Sequence, residues 1–470
     1  MFSFLKKFGS QNVENLDKEI NTAYKKLKNL YSYDSISDER KEYLKNLIEE
    51  NGYLPFPYIK AIEELSHAEI LYGLEIKWKQ NRVFDEEKGE FKFDNDKISP
   101  AQRADYKNGD WLKKEQHNVK LINLAGLGDG NKTQETGKLI DWLRQILILP
   151  SGMPDKGVLG TTVYLIPFHP REFGCAYLPV STEVSPHLED KRITEKLGLD
   201  TKQQVQLFVK LAQLAGHCVI YDVLPQTGRF SKMVLANPSI ARWYNIKELI
   251  EKIEKEADSA YEKLKTEFEP EDVEIVRDIY KATLKKGSND LSEHYQVIYD
   301  KFEELISPKK KEFSDEMMKK ENQIKIHNRA KELIAGVNDF KQNKNIEEDD
   351  IKNQGETIQL LIKEGLWPAP GGAWCSCGTP VFDRMSDTGD YPMFKHFDFK
   401  CEDVTHFANL DCQTPYYFVF LETGEYNKPV IDVYINYLKK LQKDYNFDGF
   451  RVDHIGHIVD AVSEKDGVPM

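Results

Sequence analysis

The chain has 470 residues, 40% of them hydrophobic and 30% charged, and its 65 basic and 78 acidic side chains give a formal net charge of −13. This length and composition predict a globular protein of roughly two to four domains with a sizeable core. The acidic balance argues against a nucleic-acid partner, which requires a basic face, and it suits a neutral substrate such as a sugar.

The N-terminal segment does not have the pattern of a secretion signal, because its first apolar run ends at Lys6. No stretch reaches the length of a membrane span, so we predict a cytoplasmic protein without a membrane partner. In that compartment cysteines are expected to be reduced thiols. Four cysteines are candidates for a zinc site: Cys375, Cys377, Cys401 and Cys412. Cys-x-Cys is not the usual zinc-knuckle spacing, so we expect unliganded thiols and no metal.

The first half of the chain changes from helical to alternating periodicity. Residues 1–115 have mostly helical spacing of apolar side chains and predict a helical N-terminal region without assignable chemistry. In residues 116–240, three apolar runs predict strands, at 119–124, 161–167 and 217–223, and the last two are expected to be buried. Segments with helical spacing separate them, which predicts parallel strands in a doubly wound sheet or a barrel.

The second half interrupts this alternation. Residues 241–425 begin with long amphipathic helices and continue into an aromatic-rich, irregular stretch. In residues 426–470, a predicted helix precedes a short strand at 447–452. We therefore expect an inserted subdomain that grows out of one loop after the third strand, where barrels place binding and catalysis.

The segment 448–457, Asp-Gly-Phe-Arg-Val-Asp-His-Ile-Gly-His, is the strongest functional signal. Arg451 and Asp453 are two residues apart on a predicted strand, so their side chains lie on one face. A carboxylate beside a guanidinium at a strand end stays ionised and oriented, as a nucleophile in glycoside hydrolysis must be. The alternative is a salt bridge at the strand end with incidental histidines, His454 and His457.

This segment resembles the fourth-strand motif of glycoside hydrolase family 13, the α-amylase family. The matching positions are Gly449, Phe450, Arg451, Asp453 and His457. The resemblance implies that Asp453 is the nucleophile, that Arg451 orients it, and that His457 lies near the acceptor subsites. Many members have Lys where this chain has Gly456.

Further motifs follow the order of the family. Residues 217–222 resemble the third strand, whose final Asp222 is implied to support the donor-site sugar and the arginine. The family continues with Asn-His, whereas this chain has Gln226 and Thr227. Residues 163–170 resemble the second strand. Tyr177 begins a Tyr-x-Pro-x-Ser stretch that implies a sugar-stacking platform.

The fold implied by the resemblance is α/β, a partial (β/α)₈ TIM barrel of strands one to four with a helical N-terminal region and a helical insertion. The implied activity is that of a retaining glycosidase on an α-glucan or small α-glucoside, without cofactor. The family's acid/base is a Glu ending the fifth strand, and only residues 454–470 follow Asp453. We therefore expect a fragment that is inactive alone. A glucosyl transferase or phosphorylase of the same family, or a non-catalytic glycan- or partner-binding barrel, are the alternatives.

Overall fold

A computed structural model describes most of the chain. The described residues are 16–55, 64–93, 97–103, 110–114, 116–127, 138–153, 158–171, 176–288, 290–337, 354–370, 379–395, 413–420 and 423–453. The predicted site residue His457, its neighbour His454 and the four candidate zinc cysteines lie outside them. Within the described part, every helix is too short or too polar to span a lipid bilayer.

Helices make up much of the described chain. Their bounds are α1 Leu16–Leu30, α2 Asp38–Asn51, α3 His67–Gln80, α4 Pro100–Arg103, α5 Asp110–Lys114, α6 Lys138–Leu147, α7 Lys191–Leu197, α8 Thr201–Leu214, α9 Lys232–Ala236, α10 Ile246–Leu264, α11 Pro270–Lys285, α12 Glu293–Met317, α13 Lys320–Val337, α14 Gln354–Lys363 and α15 Lys428–Tyr445.

The strands are short, and several pair only locally. Their bounds are β1 Phe84–Asp85, β2 Glu90–Phe91, β3 Gln116–Ile122, β4 Ser151–Met153, β5 Val158–Leu165, β6 Val219–Val223, β7 Gln226–Gly228, β8 Trp243–Asn245, β9 Leu366–Pro368, β10 Val381–Met385, β11 Pro392–Lys395, β12 Gln413–Pro415, β13 Val419–Phe420, β14 Glu425–Tyr426 and β15 Gly449–Val452.

The chain forms two compact units, and each consists of several segments. The first comprises Met1–Pro170, Glu183–Val223 and Leu438–Asp453, and the second comprises Arg171–Thr182, Leu224–Tyr437 and His454–Met470. The predicted boundaries at residues 115, 240 and 425 do not coincide with the borders of these units. The N-terminal helices belong to the same unit as the predicted strands, since they share its core.

A parallel sheet organises the first unit. Its order is β15-β6-β5-β3, all pairs parallel, and β4 adds to β5 in the antiparallel direction. The predicted α/β class with parallel strands is confirmed. The side chains of β5 and β6 alternate: Val163, Leu165 and Tyr221 are fully buried, whereas Tyr164 and Ile220 are only half-buried. The half-buried face is therefore the one that carries polar groups near the strand ends.

Lys77 on α3 connects the N-terminal helices to the sheet. Its fully buried ammonium donates hydrogen bonds of 2.6 Å to the carbonyls of Ile146 and Leu149, and lies 3.1 Å from Nε2 of His217. Nδ1 of His217 lies 2.9 Å from the carbonyl of Thr161 and donates to it. Neutral His217, with its proton on Nδ1, therefore accepts a hydrogen bond from Lys77 at Nε2. Every N–H donor of the ammonium thus has a partner. This network explains why residues before 115 pack into the unit of the sheet.

The helices after the third sheet strand belong to the second unit. Along α10 the buried side chains repeat at helical spacing, as Leu249, Ile253, Ala257, Ala260 and Leu264. This stripe packs against α11 and α12, whose own buried stripes complete a helical core. Among the described residues of this segment, none lies in a strand of the parallel sheet, and β8 pairs with β9 instead. The long helices predicted at the start of the segment are present.

Two buried histidines should make the protein less stable in acid. Nδ1 of His169 donates to the carbonyl of Glu183 at 2.8 Å, and Nε2 of His327 donates to that of Ala241 at 2.8 Å. Burial lowers the pKa of each imidazole from 6.5 to about 4. The unfolded chain therefore takes up protons first as the pH falls from 6.5 to 4, and stability is lost across that window. Each histidine contributes about 3 kcal/mol over the full window.

The measurement is the free energy of unfolding in urea between pH 7 and pH 4.5. His169→Asn and His327→Gln keep an N–H donor on the same carbonyl but do not titrate, so each variant should lose less stability in acid than the wild type. Burial raises the pKa of Asp190 and Asp448, which opposes the histidines at the acid end. A variant that loses stability as steeply as the wild type contradicts the assignment.

Candidate functional site

The predicted site lies where β6 and β15 run side by side. Their parallel register pairs Arg451 with Asp222 and Val452 with Val223. Just beyond β15, the backbone N–H of Asp453 donates to the carbonyl of Val223 at 2.9 Å, which continues the ladder by one residue. Asp222, Arg451 and Asp453 therefore meet near the C-terminal ends of adjacent parallel strands.

The Arg451 guanidinium bridges two carboxylates. Its Nη1 lies 3.2 Å from Oδ1 and 3.4 Å from Oδ2 of Asp222, and its Nη2 lies 2.6 Å from Oδ1 of Asp453. Two nitrogens of one planar group thus engage different partners, which fixes the guanidinium in the plane between them. The predicted convergence of the three side chains is confirmed, and their roles stay predictions.

Burial differs sharply among the three groups. Asp222 has no exposed surface, whereas the side chains of Asp453 and Arg451 are 19% and 45% exposed. Burial raises the pKa of Asp222, and hydrogen bonds from Tyr164 and Arg451 oppose that rise. Partial burial lowers the pKa of Arg451, but its hydrogen bonds and charge interactions with both carboxylates outweigh this and raise it. Asp453 is therefore the carboxylate that a solute can reach, and Asp222 is the one that anchors the arginine.

Tyr164 is a member of this cluster that sequence reasoning missed. It lies on β5, and its hydroxyl donates to Oδ2 of Asp222 at 2.5 Å. The register pairs Tyr164 with Ile220, two residues before Asp222, so both side chains lie on the same face of the sheet. The available signal was a polar-tipped residue alternating with apolar ones in a predicted buried strand.

Asp448 fixes the start of β15 and was also given no role. Its buried carboxylate accepts hydrogen bonds from the N–H of Val219 at 2.8 Å, from Nε2 of Gln213 at 3.0 Å, and from the hydroxyl of Ser99. Its own N–H donates to the carbonyl of Val219 at 2.8 Å. Just before it, Asn446 ends α15 with a left-handed φ of 56°, a conformation that Asn tolerates better than most residues. These contacts hold β15 in the register that pairs Arg451 with Asp222.

Tyr177, the predicted sugar platform, lies in the second unit together with Gln226 and Thr227. Tyr177 is half-buried, and its carbonyl accepts a hydrogen bond of 3.5 Å from Nε2 of Gln226. Thr227 is fully buried, and its hydroxyl donates to the carbonyl of Pro179 at 2.6 Å. Gln226 and Thr227 therefore hold the 177–179 segment. The stacking role of Tyr177 stays a prediction.

Two aromatic side chains of the predicted irregular stretch belong to the core. Trp367 and Phe394 are buried and pack on Phe230 and Tyr244 with ring centroids 5.3 Å and 5.0 Å apart, as core aromatics do. In the described part of the chain, no group of three or more His, Cys, Asp or Glu side chains could hold a metal ion. No protein-family model matches the sequence, and no curated protein is similar enough to it to count as a relative.

Arg451→Lys should destabilise the protein although it keeps the charge. A lysine presents one ammonium, which cannot reproduce the two-nitrogen bridge, and the buried Asp222 would lose hydrogen bonds that solvent cannot replace. We expect the free energy of unfolding to fall by about 1–3 kcal/mol.

The matched control for Arg451→Lys is Arg329→Lys. Arg329 also contacts two carboxylates, Glu332 at 3.4 Å and Glu364 at 3.0 Å, but all three side chains are exposed. An exposed arrangement of this kind is worth little, so the change should stay within about 0.5 kcal/mol. Urea titration of both variants is the measurement, and equal losses in the two would show that the buried acceptor is unimportant.

Proposed function

We propose that this chain carries the first four strands of an α-amylase-type barrel and that Asp453 attacks the anomeric carbon of an α-glucoside. The observation that carries the proposal is the Arg451 bridge at the ends of adjacent parallel strands, between the buried Asp222 and the accessible Asp453. Cytoplasmic carbohydrate metabolism is the setting that fits this proposal.

The chemistry follows from the charges. Arg451 holds one oxygen of Asp453 and thereby orients the carboxylate toward solvent. An oriented anion at this place can attack the anomeric carbon as positive charge develops there, forming a glucosyl ester while the C–O bond to the leaving group breaks. Water or another hydroxyl then attacks the same anomeric carbon, breaks its bond to the Asp453 oxygen and gives its proton to the acid/base. The proton for the leaving group comes from an acid/base that we assign to none of the described residues.

The strand order supports a barrel over a doubly wound sheet. The four parallel strands follow one another in chain order, β3, β5, β6 and β15, with helices in each connection. A doubly wound sheet reverses its order at a switch point, and ligands bind there. A barrel keeps its order, and its sites lie at the C-terminal ends of the strands, where Arg451 and Asp453 are located.

The test is covalent trapping with 5-fluoro-α-glucosyl fluoride. Fluoride leaves without protonation, so the first step requires the nucleophile but no general acid. We expect the intact protein to gain the mass of one fluoroglucosyl unit, and proteolysis to place the label on Asp453. A label elsewhere, or no label at any concentration, contradicts the proposal.

A second candidate function is glycan binding without turnover. Thr227 favours it, because its hydroxyl is committed to the carbonyl of Pro179 and the residue cannot take the place of the family's donor-site histidine. Calorimetric titration with maltooligosaccharides separates the two candidates: binding without trapping supports the second. If trapping succeeds, supplying alcohol, sugar or phosphate acceptors distinguishes hydrolysis from glucosyl transfer or phosphorolysis.

A further inference from the structure

Tyr164, on β5, adds a side chain from one more neighbouring strand to the Asp222–Arg451–Asp453 cluster. β5, β6 and β15 are neighbours, and each places one side chain in a continuous chain of contacts from Tyr164 through Asp222 to Arg451. These contacts give a route from Tyr164 to Asp453 that passes through Asp222 and Arg451.

We propose that Tyr164 is a positioning residue, which keeps Asp222 ionised and in the rotamer that holds Arg451 against Asp453. Asp222 is fully buried, so water cannot stabilise its charge. Oδ2 of Asp222 has two hydrogen-bond partners. The Tyr164 hydroxyl lies 2.5 Å from it, whereas Nη1 of Arg451 lies 3.4 Å away. A hydroxyl that donates to a buried carboxylate favours the charged form.

The consequence for the site is electrostatic. If Asp222 took up a proton, Arg451 would lose one of its two counter-charges and one of the two anchors that define its plane. The guanidinium would then be free to turn with Asp453 alone. The predicted effect of Tyr164 is therefore strongest in acid, where Asp222 begins to protonate. The catalytic part of this inference rests on the proposed function, whereas the titration of Asp222 does not.

The experiment compares Tyr164→Phe with Tyr221→Phe. Tyr221 lies on β6 next to Asp222, but on the buried face, where its oxygen accepts from the N–H of Phe168. With protein labelled at the aspartate carboxyl carbons, carbon-13 NMR follows the titration of Asp222, assigned by Asp222→Asn. We expect the midpoint to move to higher pH in Tyr164→Phe and to stay in place in Tyr221→Phe.

The second readout is the rate of glycosylation by α-glucosyl fluoride as a function of pH. Tyr164→Phe should be about tenfold slower than the wild type near pH 4.5 and less than about threefold slower at pH 7, because a hydrogen bond to a charged group is lost. Asp222→Asn, which has no charge to lose, should be slow at both pH values. A role in packing alone would lower the melting temperature and leave the pH profile unchanged.

The outcomes separate the two proposals. An unchanged Asp222 titration in Tyr164→Phe overturns the positioning role, even if the wild type is glycosylated. A shifted titration in a protein that is never glycosylated supports the positioning role and contradicts the proposed function. An Asp222→Asn variant that keeps the wild-type pH profile overturns the link from Asp222 to Asp453.

Discussion

Replacing Asp453 by Asn should lower the rate of glycosylation by α-glucosyl fluoride by at least about 10⁴-fold, more than the loss of general acid/base assistance usually costs. An amide is too weak a nucleophile to form the glucosyl ester. The fluoride substrate isolates this step, because it needs no proton donor. The side chain keeps its shape, and its oxygen can still accept from Arg451, so the loss reports on nucleophilicity rather than on folding.

The matched control for this prediction is Asp432→Asn. Asp432 lies on α15, its side chain is 54% exposed, and it pairs with Lys428 at 3.1 Å. Its replacement removes the same charge and should leave the rate within about twofold, since exposed pairs contribute little. Melting temperatures of both variants verify folding. If Asp453→Asn keeps a tenth or more of the wild-type rate while Asp432→Asn is unchanged, Asp453 is not the nucleophile.

The parallel strands and the convergence at the centre of the candidate site could be predicted from sequence because their signals are local. Residues 161–167 and 217–223 are apolar runs bounded by turns, and such runs predict parallel strands without knowledge of any distant partner. Arg451 and Asp453 lie two residues apart in one strand, so the alternation of side chains alone places them on one face. This alternation does not identify the strand next to Arg451 and Asp453. The motif resemblance identified it as the strand that contains Asp222.

The partners that hold this centre were not accessible, because they depend on register between distant segments. Tyr164 reaches Asp222 only because β5 pairs Tyr164 with Ile220, and a shift of one residue would turn it into the core. Lys77 is fully buried, and a lysine within a helical pattern gives no sign of that. Its three partners lie on segments that periodicity cannot connect.

Asp448→Ala should cost about 3–5 kcal/mol of unfolding free energy, because it removes a buried acceptor from several donors at once. The backbone N–H of Val219 loses its hydrogen-bond partner and has no solvent to replace it. Gln213 retains the carbonyl of Asn446 at 2.8 Å, so part of its loss is recovered. Asp448 and Val219 are joined by two hydrogen bonds, and only the one from the Asp448 N–H to the Val219 carbonyl remains in the variant. This loss weakens the register of β15. We therefore expect trapping at Asp453 to fall even in the fraction that stays folded.

Asp448→Asn separates hydrogen bonding from charge at the same position. The amide oxygen can accept from Val219 and Gln213, while its nitrogen can donate to the hydroxyl of Ser99, so the network survives. Burial raises the pKa of Asp448, which means that its ionisation costs stability as the pH rises from about 4 through the raised folded pKa. The neutral amide avoids this cost, so the stability of Asp448→Asn relative to that of the wild type should be higher at pH 7 than at pH 4.5. Urea titrations at pH 7 and pH 4.5 measure both effects. Equal stability of the Ala and Asn variants would show that the carboxylate does not hold β15, and the pairing of Arg451 with Asp222 would need another cause.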